Sequence, residues 1–195
     1  MWYSMELMLD SANLNEIKEV KDLGLLDGLT TNPIIIQKGF QKTSYTGDFL
    51  DYAKKILELT GDKPAFFQVT SQSESEILAD AEQLYQKLKD YGNIHIKVPI
   101  DTSPADNESK YEGIRAIREL SKKGIPTLAT AIVTPVQAFL ASRAGAKYAV
   151  LMLRPYDNVI AETQSLKLGK YNIFLRVKLY FLASIKLKYA LFILN

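Results

Sequence analysis

The sequence predicts an α/β protein built from parallel strands, and a (β/α)8 barrel fits it better than a doubly wound sheet. Apolar strand-like runs alternate strictly with amphipathic helices between residues 5 and 153. Such alternation implies parallel strands joined by right-handed crossovers. No glycine-rich phosphate loop follows the first strand, which disfavours a dinucleotide-binding sheet. Polar residues stand near the predicted carboxyl ends of the strands, where both folds place functional groups: Asp10, Thr30 to Asn32, Gln68 to Thr70, Lys97 and Thr130.

The individual elements follow from apolar spacing and capping signals. Strands are predicted at residues 5–10, 27–33, 64–70, 94–100, 126–132 and 148–153. Helices are predicted between them, from apolar residues three and four positions apart, at 11–24, 49–61, 73–92, 110–124 and 134–145. Two helix starts have capping-box spacing, and a third has proline near its first turn: Asn13 with Glu16, Ser73 with Glu76, and Pro135.

Length and composition restrict the classes of protein that the chain can represent. Its 195 residues suffice for one domain with a substantial core, so residues 1–195 are expected to form a single barrel domain. The absence of cysteine excludes disulfides, thiolate catalysis and cysteine-based zinc sites, and the single histidine excludes a histidine-rich metal site. A net charge of +2 gives no indication of a nucleic-acid partner. No signal peptide and no apolar run of about 18 residues is present, so a cytoplasmic protein without a membrane partner is expected.

The last part of the chain differs abruptly in composition from the rest. Residues 163–195 carry six basic side chains and no acidic one, and their final 25 positions also lack glycine and proline. One interpretation is a basic tail that binds a membrane surface or a nucleic acid. The other is a degraded or frame-shifted end, because AT-rich codons yield mainly Ile, Leu, Lys, Phe, Tyr and Asn. We favour the second interpretation for this atypical tail.

The fourth predicted strand, "IHIKVPI", contains a lysine in an apolar context. Side chains alternate along a strand, so Lys97 shares a face with His95 and Pro99, opposite the isoleucines and Val98. A buried lysine loses part of its positive charge, and a neutral amine attacks carbonyls to form a Schiff base. The alternative is a structural lysine paired with Asp10 across the barrel. The pattern alone does not decide between these two roles, and His95 is interpreted as a packed core residue.

Several motifs resemble the small transaldolase and fructose-6-phosphate aldolase family. They are "MELMLDSANLNEIKEV…LDGLTTNPIII", "FFQVT", "IHIKVPI…EGIRAIRELSKKGIPTLATAI" and "QAFLASRAGAKY", and the family-like part covers residues 5–153. The resemblance implies a class I aldolase on a (β/α)8 barrel that uses a Schiff-base lysine and needs no metal or other cofactor. Lys97 matches that lysine, Asp10 the proton-transfer aspartate, and Asn32 and Thr30 the substrate-binding residues of the second strand.

Two further positions favour an aldolase over a transaldolase within this family. Gln68 stands where transaldolases usually have a glutamate, and "PTLATA" resembles the fifth strand of the aldolases, with Thr130 as the water-binding threonine. The implied reaction joins or cleaves dihydroxyacetone and glyceraldehyde 3-phosphate, giving fructose 6-phosphate. The alternatives are a transaldolase that transfers a dihydroxyacetone unit between sugar phosphates, and an inactive truncated barrel remnant.

The resemblance weakens from the sixth strand onward. Met152 stands where the family has tyrosine or phenylalanine, and Arg154 lies one position before the expected phosphate-binding arginine. "LASIK" is similar to the seventh-strand pattern and would make Ser184 a phosphate contact. Nothing resembles the eighth strand or the C-terminal helix through which family members form homo-oligomers. The sequence therefore predicts a barrel that is incomplete at its C-terminus, with about six to seven recognisable strands.

Overall fold

A computed structural model describes residues 6–101, 111–152 and, for the backbone only, 190–191. Seven strands occur in these residues: β1 Met8–Asp10, β2 Gly28–Thr30, β3 Ala65–Gln68, β4 Ile94–Pro99, β5 Thr127–Ile132, β6 Tyr148–Leu151 and β7 Ala190–Leu191. Six helices accompany them: α1 Leu14–Asp22, α2 Pro33–Thr43, α3 Phe49–Thr60, α4 Glu74–Leu88, α5 Glu112–Lys122 and α6 Pro135–Ala144.

The strands form one parallel sheet in which spatial order equals sequence order, from β1 to β7. A doubly wound sheet would reverse its strand order at a switch point, whereas a barrel adds each strand to the same edge. Met8 of β1, Phe66 of β3 and Tyr148 of β6 belong to one small buried cluster. Neighbouring strands are about 4.8 Å apart, so a flat sheet would keep Met8 far from Tyr148. The sheet is therefore curled, and the predicted barrel class with an incomplete barrel is confirmed.

The larger core lies on the convex side, between the sheet and its helices. It contains fully buried side chains from both layers, among them Ile17 of α1, Ile56 of α3, Ile96 of β4 and Ile117 of α5. These isoleucines occupy the faces that the helical and strand periodicities predict. The apolar residues of "IHIKVPI" thus point outward into this core, and Lys97 points to the concave side.

The helix starts agree with most of the capping signals in the sequence. Ser73 and Glu76 form the predicted capping box of α4, and Pro135 lies in the first turn of α6. The capping box predicted for Asn13 and Glu16 is wrong. Asn13 does cap α1 by accepting from the Asn15 N–H, but the Glu16 carboxylate accepts from Ser11 and Lys42 instead.

Helix α2 follows β2, where the sequence pattern predicted no helix. Its position depends on Gly39, because a Cβ there would lie 2.6 Å from the Ala12 carbonyl oxygen. The Tyr52 hydroxyl of α3 donates a 2.7 Å hydrogen bond to the same oxygen. The Ala12 carbonyl in the loop after β1 is therefore packed against both α2 and α3.

Two properties of the described residues bear on function. Within residues 6–101 and 111–152, no helix has the length and apolarity required to cross a bilayer. The same stretches contain no group of three or more histidine, aspartate or glutamate side chains suited to hold a metal ion. The single-domain boundary at 1–195 remains a prediction, and the atypical tail at 163–195 lies outside the described residues except for Ala190 and Leu191.

Candidate active site

Lys97 lies in the middle of β4 with its side chain on the concave face and only 5% exposed. Its Nζ donates one hydrogen bond to the Thr30 hydroxyl and one to the Thr31 carbonyl oxygen, each 3.2 Å long. Burial lowers the pKa of Lys97, and the negative charge of Asp10 opposes part of that effect. The neutral amine, which is the nucleophilic form, is therefore more populated than it would be in a lysine exposed to water.

Asp10 ends β1 on the same face and is half-buried. Burial raises the pKa of its carboxyl group, and the positive charge of Lys97 acts in the opposite direction. Its Oδ1 is buried and has no hydrogen-bond partner among the described residues. Within that part of the chain, no salt bridge joins Asp10 to Lys97, although each affects the pKa of the other. The described residues therefore do not contain the structural Lys97–Asp10 ion pair that was the alternative role of the lysine.

Asn32 serves as the N-cap of α2, directly after β2. Its Oδ1 accepts a 2.9 Å hydrogen bond from the Ile35 N–H, and Pro33 occupies the first turn. This bond uses one lone pair of Oδ1, and the amide NH2 group remains available to donate to a substrate. The capping bond fixes the side-chain rotamer, so Asn32 presents its NH2 group from a rigid helix start.

Gln68 and Thr130 come from the two strands that flank β4. Gln68 is opposite Lys97 in the β3–β4 register and is partly buried, and Thr130 is opposite Pro99 in the β4–β5 register and is buried. The β5–β6 register shifts just after this point, and Ala131 has a φ of +60°. Thr130 shares the concave face with Leu128 by strand alternation, and the bulge bends the end of the strand directly after it.

Two clefts open beside these residues, with volumes of about 400 and 370 Å3. Asn32 lines both of them, Gln68 lines the larger and Asp10 lines the smaller. Lys97 lines neither, because its amino group is directed at the end of β2. Asp10, Thr30, Asn32 and Gln68 lie at or just after the carboxyl ends of their strands, whereas Lys97 and Thr130 lie within β4 and β5.

Sequence reasoning assigned no role to Thr31, whose carbonyl oxygen contacts the Lys97 amino group. The doublet "TT" before "NP" was the available signal, but a backbone acceptor leaves no mark on residue type. Met152 follows β6, is 40% exposed, and donates its N–H to the Ile132 carbonyl. Arg154 and Ser184, expected as phosphate contacts, lie outside the described residues.

His95 lies two residues before Lys97 on the same face of β4, and it is packed in the core as the sequence predicted. Its ring lies 5.2 Å from that of Phe66 and 5.3 Å from that of Tyr148, both in edge-to-face geometry. Burial, aided by the charge of Lys147, lowers its pKa to about 4. His95 is therefore neutral at physiological pH and belongs to the packed floor beneath the site.

Comparison with known proteins adds the family to this geometry. The family model described as "Transaldolase/Fructose-6-phosphate aldolase" matches residues 7–172 of the chain. The chain belongs to this family. The family resemblance drawn from the motifs is confirmed. This member of a carbohydrate-acting enzyme family has a buried lysine on its fourth strand.

Curated relatives carry the name "Probable transaldolase". A relative from Chlorobium phaeobacteroides (strain DSM 266) is 35% identical over 164 residues, which are 83% of this chain and 67% of the relative. One from Clostridioides difficile (strain 630) is 37% identical over 155 residues, covering 80% of this chain and 63% of the relative. The chain thus spans about two thirds of the length of the curated relatives it matches.

A solved structure shares the fold at much lower identity. It is a crystal structure from Burkholderia cenocepacia J2315 described as a "putative phosphonomutase", with a TM-score of 0.54 and 11% identity. The alignment covers 90% of this chain and 82% of that one. At this identity the likeness concerns the fold alone, and it supports the barrel-type architecture.

Proposed function

We propose that the chain is a Schiff-base aldolase that makes or cleaves fructose 6-phosphate or a related sugar, acting in the cytoplasm. The observation that carries this proposal is the buried amino group of Lys97, held by two acceptors and left unpaired with Asp10. A direct ion pair with Asp10 would hold Lys97 in its charged form, and the described residues contain no such pair. Burial shifts the amine toward its neutral form, which is the form that attacks a ketone.

In this mechanism the Lys97 nitrogen attacks the carbonyl carbon of dihydroxyacetone and forms a carbinolamine. Loss of water gives an iminium ion, and removal of a proton from the adjacent carbon gives an enamine. The enamine carbon then bonds to the aldehyde carbon of glyceraldehyde 3-phosphate, and water releases fructose 6-phosphate and the free amine. We assign the proton transfers to Asp10 through a water held by Gln68 and Thr130, because burial raises the pKa of the Asp10 carboxyl group and makes its protonated form more accessible.

Recognition of the substrate is proposed to use the donors at the end of β2. The Asn32 NH2 group can bind a substrate hydroxyl oxygen, and the Thr30 hydroxyl lies on the same strand end as the Lys97 amine. Arg154 and Ser184 are proposed as contacts for the phosphate group. The reaction needs no cofactor in this scheme, because the lysine itself supplies the electron-withdrawing group.

A transaldolase is the second candidate, and the names of the curated relatives favour it. Both enzymes form the same Lys97 adduct, and they differ in whether the bound dihydroxyacetone unit is released or transferred. Fructose 6-phosphate supplied without an acceptor should yield free dihydroxyacetone from an aldolase. A transaldolase should give substantial turnover only when an acceptor aldose phosphate is added.

Trapping of the iminium ion tests the proposal directly. Purified protein is incubated with dihydroxyacetone and borohydride, and the modified peptide is located by mass spectrometry. We expect one adduct on Lys97 that is lost in Lys97→Met. Lys55→Met is the matched control, because Lys55 is an exposed helical lysine and its loss should leave trapping unchanged.

The contrary result also has a definite meaning. Folded wild-type protein that forms no adduct on Lys97 contradicts the aldolase and the transaldolase alike. The chain would then be an inactive member of its family, which is the third alternative.

A further inference from the structure

Thr31 makes two hydrogen bonds to a single acceptor on the neighbouring strand. Its backbone N–H donates to the Phe66 carbonyl oxygen at 3.1 Å, and its hydroxyl donates to the same oxygen at 2.8 Å. The residue is 1% exposed. A buried carbonyl oxygen has two lone pairs, so Phe66 satisfies both donors of Thr31 and clamps it to β3.

The chain is also fixed on the other side of Thr31. Asn32 begins α2 and its Oδ1 is engaged by the Ile35 N–H, so the peptide group between Thr31 and Asn32 is held at both ends. The carbonyl oxygen of this peptide group accepts the 3.2 Å hydrogen bond from Lys97 Nζ. The Thr31 hydroxyl does not contact the lysine, but it restricts the group that does.

The number of acceptors around Nζ matches the neutral amine. A neutral amine has two N–H bonds and one lone pair, and among the described residues the amino group has two acceptors, the Thr30 hydroxyl and the Thr31 carbonyl. When both N–H bonds are directed at these acceptors, tetrahedral geometry fixes the direction of the lone pair. Orientation of a nucleophile relative to its target is a large part of its reactivity.

We propose that Thr31 is a positioning residue whose hydroxyl, bonded to the Phe66 carbonyl, holds the Thr31 carbonyl against Lys97 and so orients the attacking amine. This inference rests on the proposed Schiff-base function of the same site. The Thr31 hydroxyl touches neither substrate nor the Lys97 amine in this scheme. It acts through the backbone carbonyl of Thr31, directly after β2.

The competing role for Thr31 is purely structural, since a buried hydroxyl near a carbonyl commonly serves only to satisfy hydrogen bonds. The two roles differ in what the loss of the hydroxyl changes. A structural role affects the stability of the fold and leaves each folded molecule with the same reactivity. A positioning role changes the rate and the pH dependence of adduct formation per folded molecule.

Thr31→Val tests the proposal, because valine keeps the shape and both backbone groups and removes only the hydroxyl. Adduct formation with dihydroxyacetone and borohydride is followed over a range of pH and ketone concentration, per folded molecule. At saturating ketone we expect the rate to fall about fivefold, the size of one lost hydrogen bond. The half-saturating ketone concentration should not change, because no substrate contact is lost.

The pH midpoint of adduct formation should move to lower pH in Thr31→Val. A carbonyl acceptor stabilises an ammonium group more than a neutral amine, so a loosened Thr31 carbonyl favours the ammonium form less. Thr31→Ser retains the hydroxyl and should restore both the rate and the midpoint toward wild type. A structural role would move neither quantity per folded molecule.

Thr127→Val is the matched control on the convex side of β5. The Thr127 hydroxyl is buried and has no hydrogen-bond partner among the described residues, so this variant removes a buried hydroxyl away from Lys97. Its rate and midpoint should equal those of the wild type. Should Thr31→Val fail to fold, Thr31→Ala and Thr31→Ser replace it as a pair that differs only by the hydroxyl.

The outcomes separate this inference from the function on which it rests. A wild-type protein without an adduct overturns both. A wild-type adduct combined with equal rates and midpoints in the two valine variants overturns the role of Thr31 alone. A slower rate and a lower midpoint in Thr31→Val, with Thr127→Val unchanged, support it.

Discussion

The concave face of the sheet has two layers with opposite chemistry. The lower layer, toward the amino ends of the strands, consists of Met8, Phe66, His95, Leu128 and Tyr148. The upper layer, toward their carboxyl ends, consists of Asp10, Thr30, Gln68, Lys97 and Thr130. The lower layer packs aromatic rings with centroids 5.0 to 5.3 Å apart, whereas the upper layer holds polar groups with few mutual contacts.

The difference shows how one strand supplies both stability and chemistry. On β4, His95 and Lys97 are two residues apart on the same face, and burial lowers the pKa of each. His95 is packed against two aromatic rings, while Lys97 donates to two oxygen acceptors beside the clefts. The apolar lower layer keeps water from beneath Lys97, so the packing of one layer contributes to the reactivity of the other.

Phe66→Ala should have the largest effect, because Phe66 is fully buried and contacts both His95 and Tyr148. Loss of a buried phenylalanine costs about 3–5 kcal/mol of unfolding free energy. Chemical denaturation measures this loss, and Phe139→Ala, at an exposed position on α6, should stay within about 0.5 kcal/mol of wild type. Equal stability of the two variants would show that the lower layer does not support the fold.

His95→Phe tests whether the lower layer must remain uncharged. The folded-state pKa of about 4 is below the ordinary value of 6.5, so the unfolded chain binds a proton more readily. The folded state therefore has its full contribution from neutral His95 above pH 6.5. As pH falls from 6.5 toward 4, the free energy of unfolding drops by roughly 3 kcal/mol on this account, at about 1.4 kcal/mol per pH unit.

The measurement is the free energy of unfolding of both proteins between pH 4 and 7. Because all other groups titrate in both, the difference between the two curves isolates His95. The His95→Phe curve should be flatter by that amount. Parallel curves would contradict burial of a neutral imidazole in this layer.

Asp10→Asn tests the chemistry of the upper layer and should change the free energy of unfolding little. Turnover should fall about 100-fold, the typical contribution of a general acid or base. The charge of Asp10 raises the pKa of Lys97, so its removal should also move the midpoint of adduct formation to lower pH. The pH dependence of trapping and of turnover measures both effects.

Glu6→Gln is a matched control for Asp10→Asn. Glu6 precedes β1, and burial raises the pKa of its carboxyl group as it does for Asp10. It does not influence the pKa of Lys97, so neither turnover nor the midpoint should change. An unchanged midpoint in Asp10→Asn would show that the upper layer does not act as one electrostatic unit.

Local pattern was sufficient for a large part of the fold. Alternation of apolar runs predicted all six strands up to Leu151, and the alternation within "IHIKVPI" placed Lys97 on the face opposite the convex core. Helix α2 was missed because its start depends on the cap of Asn32 and on Gly39 packing against Ala12. The Gly39–Ala12 contact joins distant positions, which no periodicity within the segment reports, whereas Asn32 followed by Pro33 is a local helix-start signal that apolar periodicity does not register.

The sequence by itself determined which side chains share the concave face, because that choice depends only on the period of a strand. It also determined the family, through motifs in a fixed order. Only the tertiary structure decided that the Lys97 amine contacts Thr30 and the Thr31 carbonyl, and not Asp10. The physical reason is that these partners lie 66 and 67 positions away, so the curl of the sheet and the start of α2 set their distances.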